Sequence, residues 1–65
     1  GNMPCVFNSA NEYAVARFLN EDIGFLDIYD MIKYAMDSID FIKDPSVEEI
    51  LACEQKVYEL LGDFK

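Results

Sequence analysis

The chain has 65 residues, enough for one small domain, and 52% of them are hydrophobic. Its thirteen acidic and five basic residues give a net charge of −8, which disfavours nucleic acid and anionic membranes as partners because both attract clustered Lys and Arg. Histidine is absent, the two cysteines lie far apart and no apolar run approaches the ~20 residues of a membrane span, so a zinc site and a membrane anchor are disfavoured too.

Two breaks, at residues 20–24 and 43–45, divide the sequence into three segments with helical spacing of apolar residues. No segment alternates polar and apolar residues as a strand would. The sequence therefore predicts an all-α fold, a three-helix fragment of a small helical bundle, with helices at roughly 4–20, 28–42 and 47–61.

The first helix begins at Pro4, a residue suited to a first helical turn because its missing N–H is not needed there. Its apolar stripe recurs at steps of three and four residues and comprises Phe7, Ala10, Ala14 and Phe18, with Val15 and Leu19 beside them. This stripe is expected to face the core.

A structural polar cluster is predicted within this helix, at Asn8, Asn11 and Glu12. Short polar side chains are weak helix formers in such positions. One interpretation is an exposed polar face. The other is a buried cluster whose amides and carboxylate bind backbone groups of a neighbouring segment, since buried polar groups need partners. The residues alone leave both open.

The second helix is predicted to start after Asp27 as N-cap and to end near Ile42, because residues just before Pro45 avoid helical geometry. The third has the clearest start, since Ser46 and Glu49 form a capping box directly after Pro45. Gly62 is a natural stop for it.

No catalytic, cofactor-binding or metal-ligating residue is predicted in this chain. Its glycines are scattered, and without histidine its serines and cysteines lack a base. The run Asp37-Ser38-Ile39 looks like the attachment site of acyl carrier proteins, but there the serine opens a helix, whereas Ser38 falls near a helix end. Cys5 and Cys53 are expected to be reduced thiols of a cytoplasmic protein.

Two motifs carry a family resemblance. Residues 4–19, P-C-V-F-N-S-A-N-E-Y-A-V-A-R-F-L, resemble the pattern P-x-V-x-N-A-A-N-E-x-A-V-x-x-F-L, with Ser9 in place of the usual alanine. Residues 23–28, I-G-F-L-D-I, resemble I-x-F-x-D-I. Both patterns belong to the C-terminal domain of 1-deoxy-D-xylulose 5-phosphate reductoisomerase, and the likeness continues more weakly through the Ser46–Leu51 helix start.

The resemblance implies a parent enzyme of non-mevalonate isoprenoid biosynthesis. Such an oxidoreductase isomerises its substrate and then reduces it with NADPH to 2-C-methyl-D-erythritol 4-phosphate, using Mg²⁺ or Mn²⁺. The catalytic, metal and cofactor residues of the family lie in its other domains, so none is carried over to residues 1–65. The isolated chain is therefore expected to be an inactive, structural domain.

The resemblance also implies that the remaining domains of the parent chain are the partner, and that a first helix is missing before Pro4. Uncovered apolar surface would then make the fragment self-associate. The alternative to an enzyme domain is a free-standing acidic helical module that binds a partner protein through the same surface.

Overall fold

The computed structural model describes residues 1–64 and contains three α-helices. They are α1 (Met3–Leu19), α2 (Phe25–Ser38) and α3 (Val47–Gly62). No strand occurs in this range, so the predicted all-α class is confirmed.

Helix α1 lies between the other two helices and packs against both, whereas α2 and α3 contact each other much less. The buried core draws on all three helices and on the residue after α2, and it consists of Val6, Ala10, Ala14, Met31, Ala35, Ile39, Cys53, Val57 and Leu61. The small alanines of α1 allow neighbouring helices to approach it closely. Both α2 and α3 therefore depend on α1 for the burial of their apolar faces.

A helix-ending turn connects α1 to α2. The amide of Glu21 donates to the Phe18 carbonyl at 3.0 Å, and the amide of Asp22 donates to the Arg17 carbonyl at 3.0 Å. These two bonds form a Schellman motif, which places Glu21 at the position with a positive φ, here 61°. Glycine usually occupies this position because a side chain is disfavoured there.

The predicted start of α2 is wrong, because its N-cap is Gly24 and not Asp27. Asp27 lies three residues inside the cap, and its carboxylate accepts a hydrogen bond from the Gly24 amide at 2.8 Å. The Asp27 amide in turn donates to the Gly24 carbonyl at 3.1 Å. Asp27 thus stabilises the helix start from inside the first turn, and Phe25 and Leu26 are helical.

The predicted end of α2 is also too late, since the helix stops at Ser38 and not near Ile42. Ile39 is its C-cap and adopts an extended backbone with ψ 130°. The reason is a competing interaction: backbone groups of residues 40–42 bind Asn2 instead of continuing the helix.

Helix α3 begins as the sequence predicts. The Glu49 amide donates to Ser46 Oγ at 3.1 Å, and the Ser46 amide donates to Glu49 Oε1 at 3.0 Å. These reciprocal bonds satisfy two amides that have no partner within the helix. The start of α3 is therefore fixed locally, without help from packing.

Candidate functional site

The most connected polar residue of the structure is Asn2, which precedes α1 and is only 1% exposed. Its Nδ2 donates to the Asp40 carbonyl at 2.8 Å, and its Oδ1 accepts from the Ile42 amide at 2.8 Å. Its own backbone amide donates to the Ile42 carbonyl at 3.1 Å. We call these three hydrogen bonds the Asn2 latch, because they hold the connection between α2 and α3 against the start of α1.

The residue before the latch is a glycine for a steric reason. A Cβ atom at Gly1 would come within 2.5 Å of the Phe41 ring and 3.1 Å of the Ile42 carbonyl oxygen. The Phe41 ring is exposed and able to move, but the Ile42 carbonyl is held by the latch. Gly1 therefore permits the close approach of the two backbone segments.

Two free thiols lie beside the latch, on the facing sides of α1 and α3. The second Nδ2 hydrogen of Asn2 points to Cys53 Sγ at 3.9 Å, and Cys5 Sγ donates to the Ile50 carbonyl at 3.8 Å. Cys5 Sγ is also 3.9 Å from Ser9 Oγ. Burial, followed by the neighbouring Cys5, raises the pKa of the Cys53 thiol, so Cys53 is a poor nucleophile in the folded state.

No sequence motif indicates the latch. An Asn two residues before a helix-starting Pro would be interpreted as an N-cap, the position where Asn is most favoured. Asn2 does occupy the N-cap of α1, but its side chain makes no capping hydrogen bond and reaches the distant segment 40–42 instead. No local sequence signal identifies a partner 38 residues away.

The structure places the predicted polar cluster of α1 on the surface. Asn8, Asn11 and Glu12 are all exposed, and their side chains form no hydrogen bond with the rest of residues 1–64. Ser9, between them, is buried instead. Within the described chain the cluster is therefore an exposed face, without a backbone segment to bind.

An apolar groove opens between α1 and α2, close to this polar face. It has a volume of about 400 Å³ and is lined by Phe7, Tyr29, Ile32, Lys33, Met36 and Asp37. Phe7 was expected in the core, yet it is 46% exposed. The outer side of the α1–α2 pair thus presents polar and apolar groups together.

Three further observations concern a carrier serine, a metal site and a membrane span. Ser38 is the last residue of α2 and is exposed, which is unlike the helix-opening serine of a carrier protein. Over residues 1–64, no three or more His, Cys, Asp or Glu side chains are arranged to hold a metal ion. In the same range, none of the helices combines the length and apolar character needed to cross a membrane.

A family model and individual relatives point to the same family of proteins. Residues 1–60 match the family model described as the DXP reductoisomerase C-terminal domain. The 1-deoxy-D-xylulose 5-phosphate reductoisomerase of Lachnospira eligens is 49% identical over 61 residues, covering 94% of this chain and 16% of the relative. That of Agathobacter rectalis is 51% identical over 62 residues, covering 95% of this chain and 16% of the relative.

A relative from a third organism shows similar identity over a shorter segment. The enzyme of Bacillus cereus strain AH187 is 53% identical over 51 residues, covering 78% of this chain and 13% of the relative. The chain therefore spans about a sixth of the length of the first two relatives. No solved structure matches it. The family match favours an enzyme domain over a free-standing interaction module, and the chain belongs to the DXP reductoisomerase C-terminal domain family.

Proposed function

We propose that this chain is the non-catalytic, structural C-terminal domain of an enzyme that works as a 1-deoxy-D-xylulose 5-phosphate reductoisomerase. The observation that carries the proposal is the match of residues 1–60 to the C-terminal domain of that family, together with relatives about six times longer than the matched segment. Activity, substrate and cofactor belong to the parent protein.

NADPH and Mg²⁺ or Mn²⁺ are the cofactors that the family resemblance implies for the parent enzyme. Residues 1–64 offer no group of side chains suited to a metal ion. Residues 1–64 therefore lack a suitable site for Mg²⁺ or Mn²⁺, and we assign the binding of the metal ion and of NADPH to the other domains. Two free thiols support a cytoplasmic location for the parent.

The proposal is tested by the size and activity of the native protein. An antibody against this chain is used on a lysate of the source cells, and a single band several times heavier than 7.5 kDa is expected. That protein, purified, should oxidise NADPH when given 1-deoxy-D-xylulose 5-phosphate and a divalent metal ion. A band near 7.5 kDa would overturn the proposal and point to the free-standing module.

The partner of this domain is the rest of the parent chain, and the outer side of α1 is the surface we assign to the contact. Asn8, Asn11 and Glu12 are exposed there although they lie in a helix that packs on two others. Amides and a carboxylate on such a face suit hydrogen bonds to backbone groups of a docked segment. The neighbouring groove that includes Phe7 would supply apolar burial to the same contact.

The docking surface is tested with Asn11→Ala in two settings. In the native-length protein the change should lower the free energy of unfolding by about 1–3 kcal/mol, because backbone partners of Asn11 become unsatisfied. In the 65-residue chain, where Asn11 is exposed, it should have little effect. Gln55→Ala is the control, since it removes an exposed amide from α3 together with an exposed hydrogen bond to Glu59 Oε2 at 3.3 Å. Equally small effects in both settings would refute this assignment.

The isolated chain is expected to self-associate, because large apolar side chains remain uncovered. Leu19, Phe25 and Leu26 surround the α1–α2 turn and are 74%, 72% and 79% exposed. Such a patch favours association when no other domain covers it. Light scattering at high concentration measures this directly, and a monodisperse monomer would contradict it.

A further inference from the structure

We propose that Cys5 and Cys53 form an oxidation site, at which a small-molecule disulfide such as oxidised glutathione converts the two thiols into a disulfide joining α1 to α3. The inference concerns this chain alone and does not depend on the activity of a parent enzyme. It starts from the position of the two thiols in the interface between the helices.

Two contacts place the thiols together. Cys5 Sγ donates to the Ile50 carbonyl at 3.8 Å, and Cys53 lies three residues after Ile50, on the same face of α3. Asn2, the N-cap of α1 three residues before Cys5, brings its Nδ2 to 3.9 Å from Cys53 Sγ. The same strip of α3 is thus touched by residues 2 and 5.

The thiols also affect each other directly. The neighbouring Cys5 is among the causes that raise the pKa of Cys53, as expected for two thiols on facing helices. No other cysteine competes within this chain, which contains only these two. A disulfide requires the two Cβ atoms to lie about 3.5–4.5 Å apart. Rotation about χ1 aims the two sulfur atoms at each other, and the spacing of α1 and α3 at these two positions sets the distance between the Cβ atoms.

The order of reaction follows from burial. Cys5 is half-buried and Cys53 is 5% exposed, so Cys5 meets the oxidant first. Its thiolate attacks one sulfur of oxidised glutathione, the glutathione S–S bond breaks, and one glutathione leaves as a thiolate that takes up the proton lost by Cys5.

Cys53 completes the exchange. It loses its proton, attacks the Cys5 sulfur of the mixed disulfide and releases the second glutathione, which takes up that proton. The two cysteines are oxidised by two electrons, and one glutathione disulfide is reduced to two glutathione molecules. The raised pKa of Cys53 makes this second step the slower one, so a glutathione adduct on Cys5 is expected to accumulate transiently.

Peptide mapping of the native-length protein tests the proposal whatever other cysteines it contains. Trypsin places Cys5 in the peptide ending at Arg17 and Cys53 in the peptide Asp44–Lys56. After incubation with oxidised glutathione and blocking of residual thiols, mass spectrometry should detect these peptides linked, lighter than their sum by two hydrogen atoms. A reductant should separate them, and Cys5→Ser or Cys53→Ser should abolish the linkage.

A displaced thiol provides the geometric control. In the double variant Gln55→Cys/Cys53→Ser the second thiol lies two residues along α3, roughly 200° around the helix, on an exposed face. It should gain a glutathione adduct but no link to Cys5. An equally efficient link would show that the helix interface does not direct the reaction, and would overturn the proposal, as would a glutathione adduct on Cys5 that never resolves.

Stability of the oxidised form is the second readout. Because the link closes a long loop without displacing the helices, the melting temperature of the 65-residue chain should rise by roughly 10 °C or more on oxidation. Cys53→Ser treated in the same way should show no rise. A lower melting temperature for the linked chain would mean that the helices must move apart or twist to form the bond, which contradicts a helix interface that already brings the two thiols together.

Discussion

Replacing Asn2 by alanine should be among the most damaging single changes in this chain. The substitution removes the hydrogen bonds to the Asp40 carbonyl and the Ile42 amide, both 2.8 Å long, but leaves the backbone bond from residue 2 to the Ile42 carbonyl. Loss of a hydrogen bond costs about 1 kcal/mol, and a buried group left without a partner costs about 1–3 kcal/mol. Both partners are part-buried, so we expect a total loss of about 2–4 kcal/mol.

This loss is large for so short a chain, whose total stability is expected to be about 3–10 kcal/mol. Urea denaturation followed by circular dichroism measures the change, with wild type and variant compared at the same protein concentration because association would add stability. A loss below about 0.5 kcal/mol would refute the reasoning, since solvent would then be replacing both partners of Asn2 at little cost.

Asn2→Asp changes the hydrogen-bonding groups of the side chain and keeps its volume nearly constant. It keeps an acceptor for the Ile42 amide, but an ionised carboxylate would face the Asp40 carbonyl in place of a donor. Its pKa should be raised in the folded state, because only the protonated form donates there. The variant should therefore approach wild-type stability at low pH and lose it as the pH rises through the folded pKa. A pH-independent difference from wild type would contradict this account.

Three further predictions concern individual positions. Glu21→Gly should stabilise the chain by about 0.5–1 kcal/mol, because Glu21 holds a positive φ of 61° that glycine adopts freely; a loss in chemical denaturation would contradict this. Ser46→Ala should cost about 1 kcal/mol by removing the N-cap of α3, whereas Glu49→Gln, which can keep its half of the capping box, should be nearly neutral; equal costs would be contrary evidence. The raised pKa of Cys53 stabilises the fold fully below 9.0, the ordinary pKa of a cysteine thiol, and this contribution should be lost as the pH rises through the folded pKa. The stability difference between wild type and Cys53→Ala should therefore shrink in alkaline solution, and a constant difference would argue against it.

The features that the sequence predicts correctly are those determined by residues close together in the chain. The start of α3 follows from Ser46 and Glu49, whose bonds join residues three positions apart. Helical spacing of apolar residues predicts three helices, which the structure contains. The motif in α1 predicts a family that the comparison then shows.

What could not be predicted depends on contacts between distant residues. Helix α2 ends early because residues 40–42 bind Asn2, which no nearby residue indicates. Helical spacing likewise does not reveal which side of an apolar stripe is covered: Phe7 and Leu19 were expected in the core and are exposed. The polar face at Asn8, Asn11 and Glu12 poses the same problem, since it is exposed here and the partner that we propose for it belongs to another domain.

The central position of α1 determines how the chain opens. Because α2 and α3 contact each other little, neither can keep its apolar face covered once α1 unfolds. Without α1, the pair α2 and α3 is therefore not expected to stay folded as a smaller cooperative unit. Amide hydrogens in the middle of all three helices should therefore exchange with solvent at one common opening free energy, and stabilising any one helix should slow exchange in the other two.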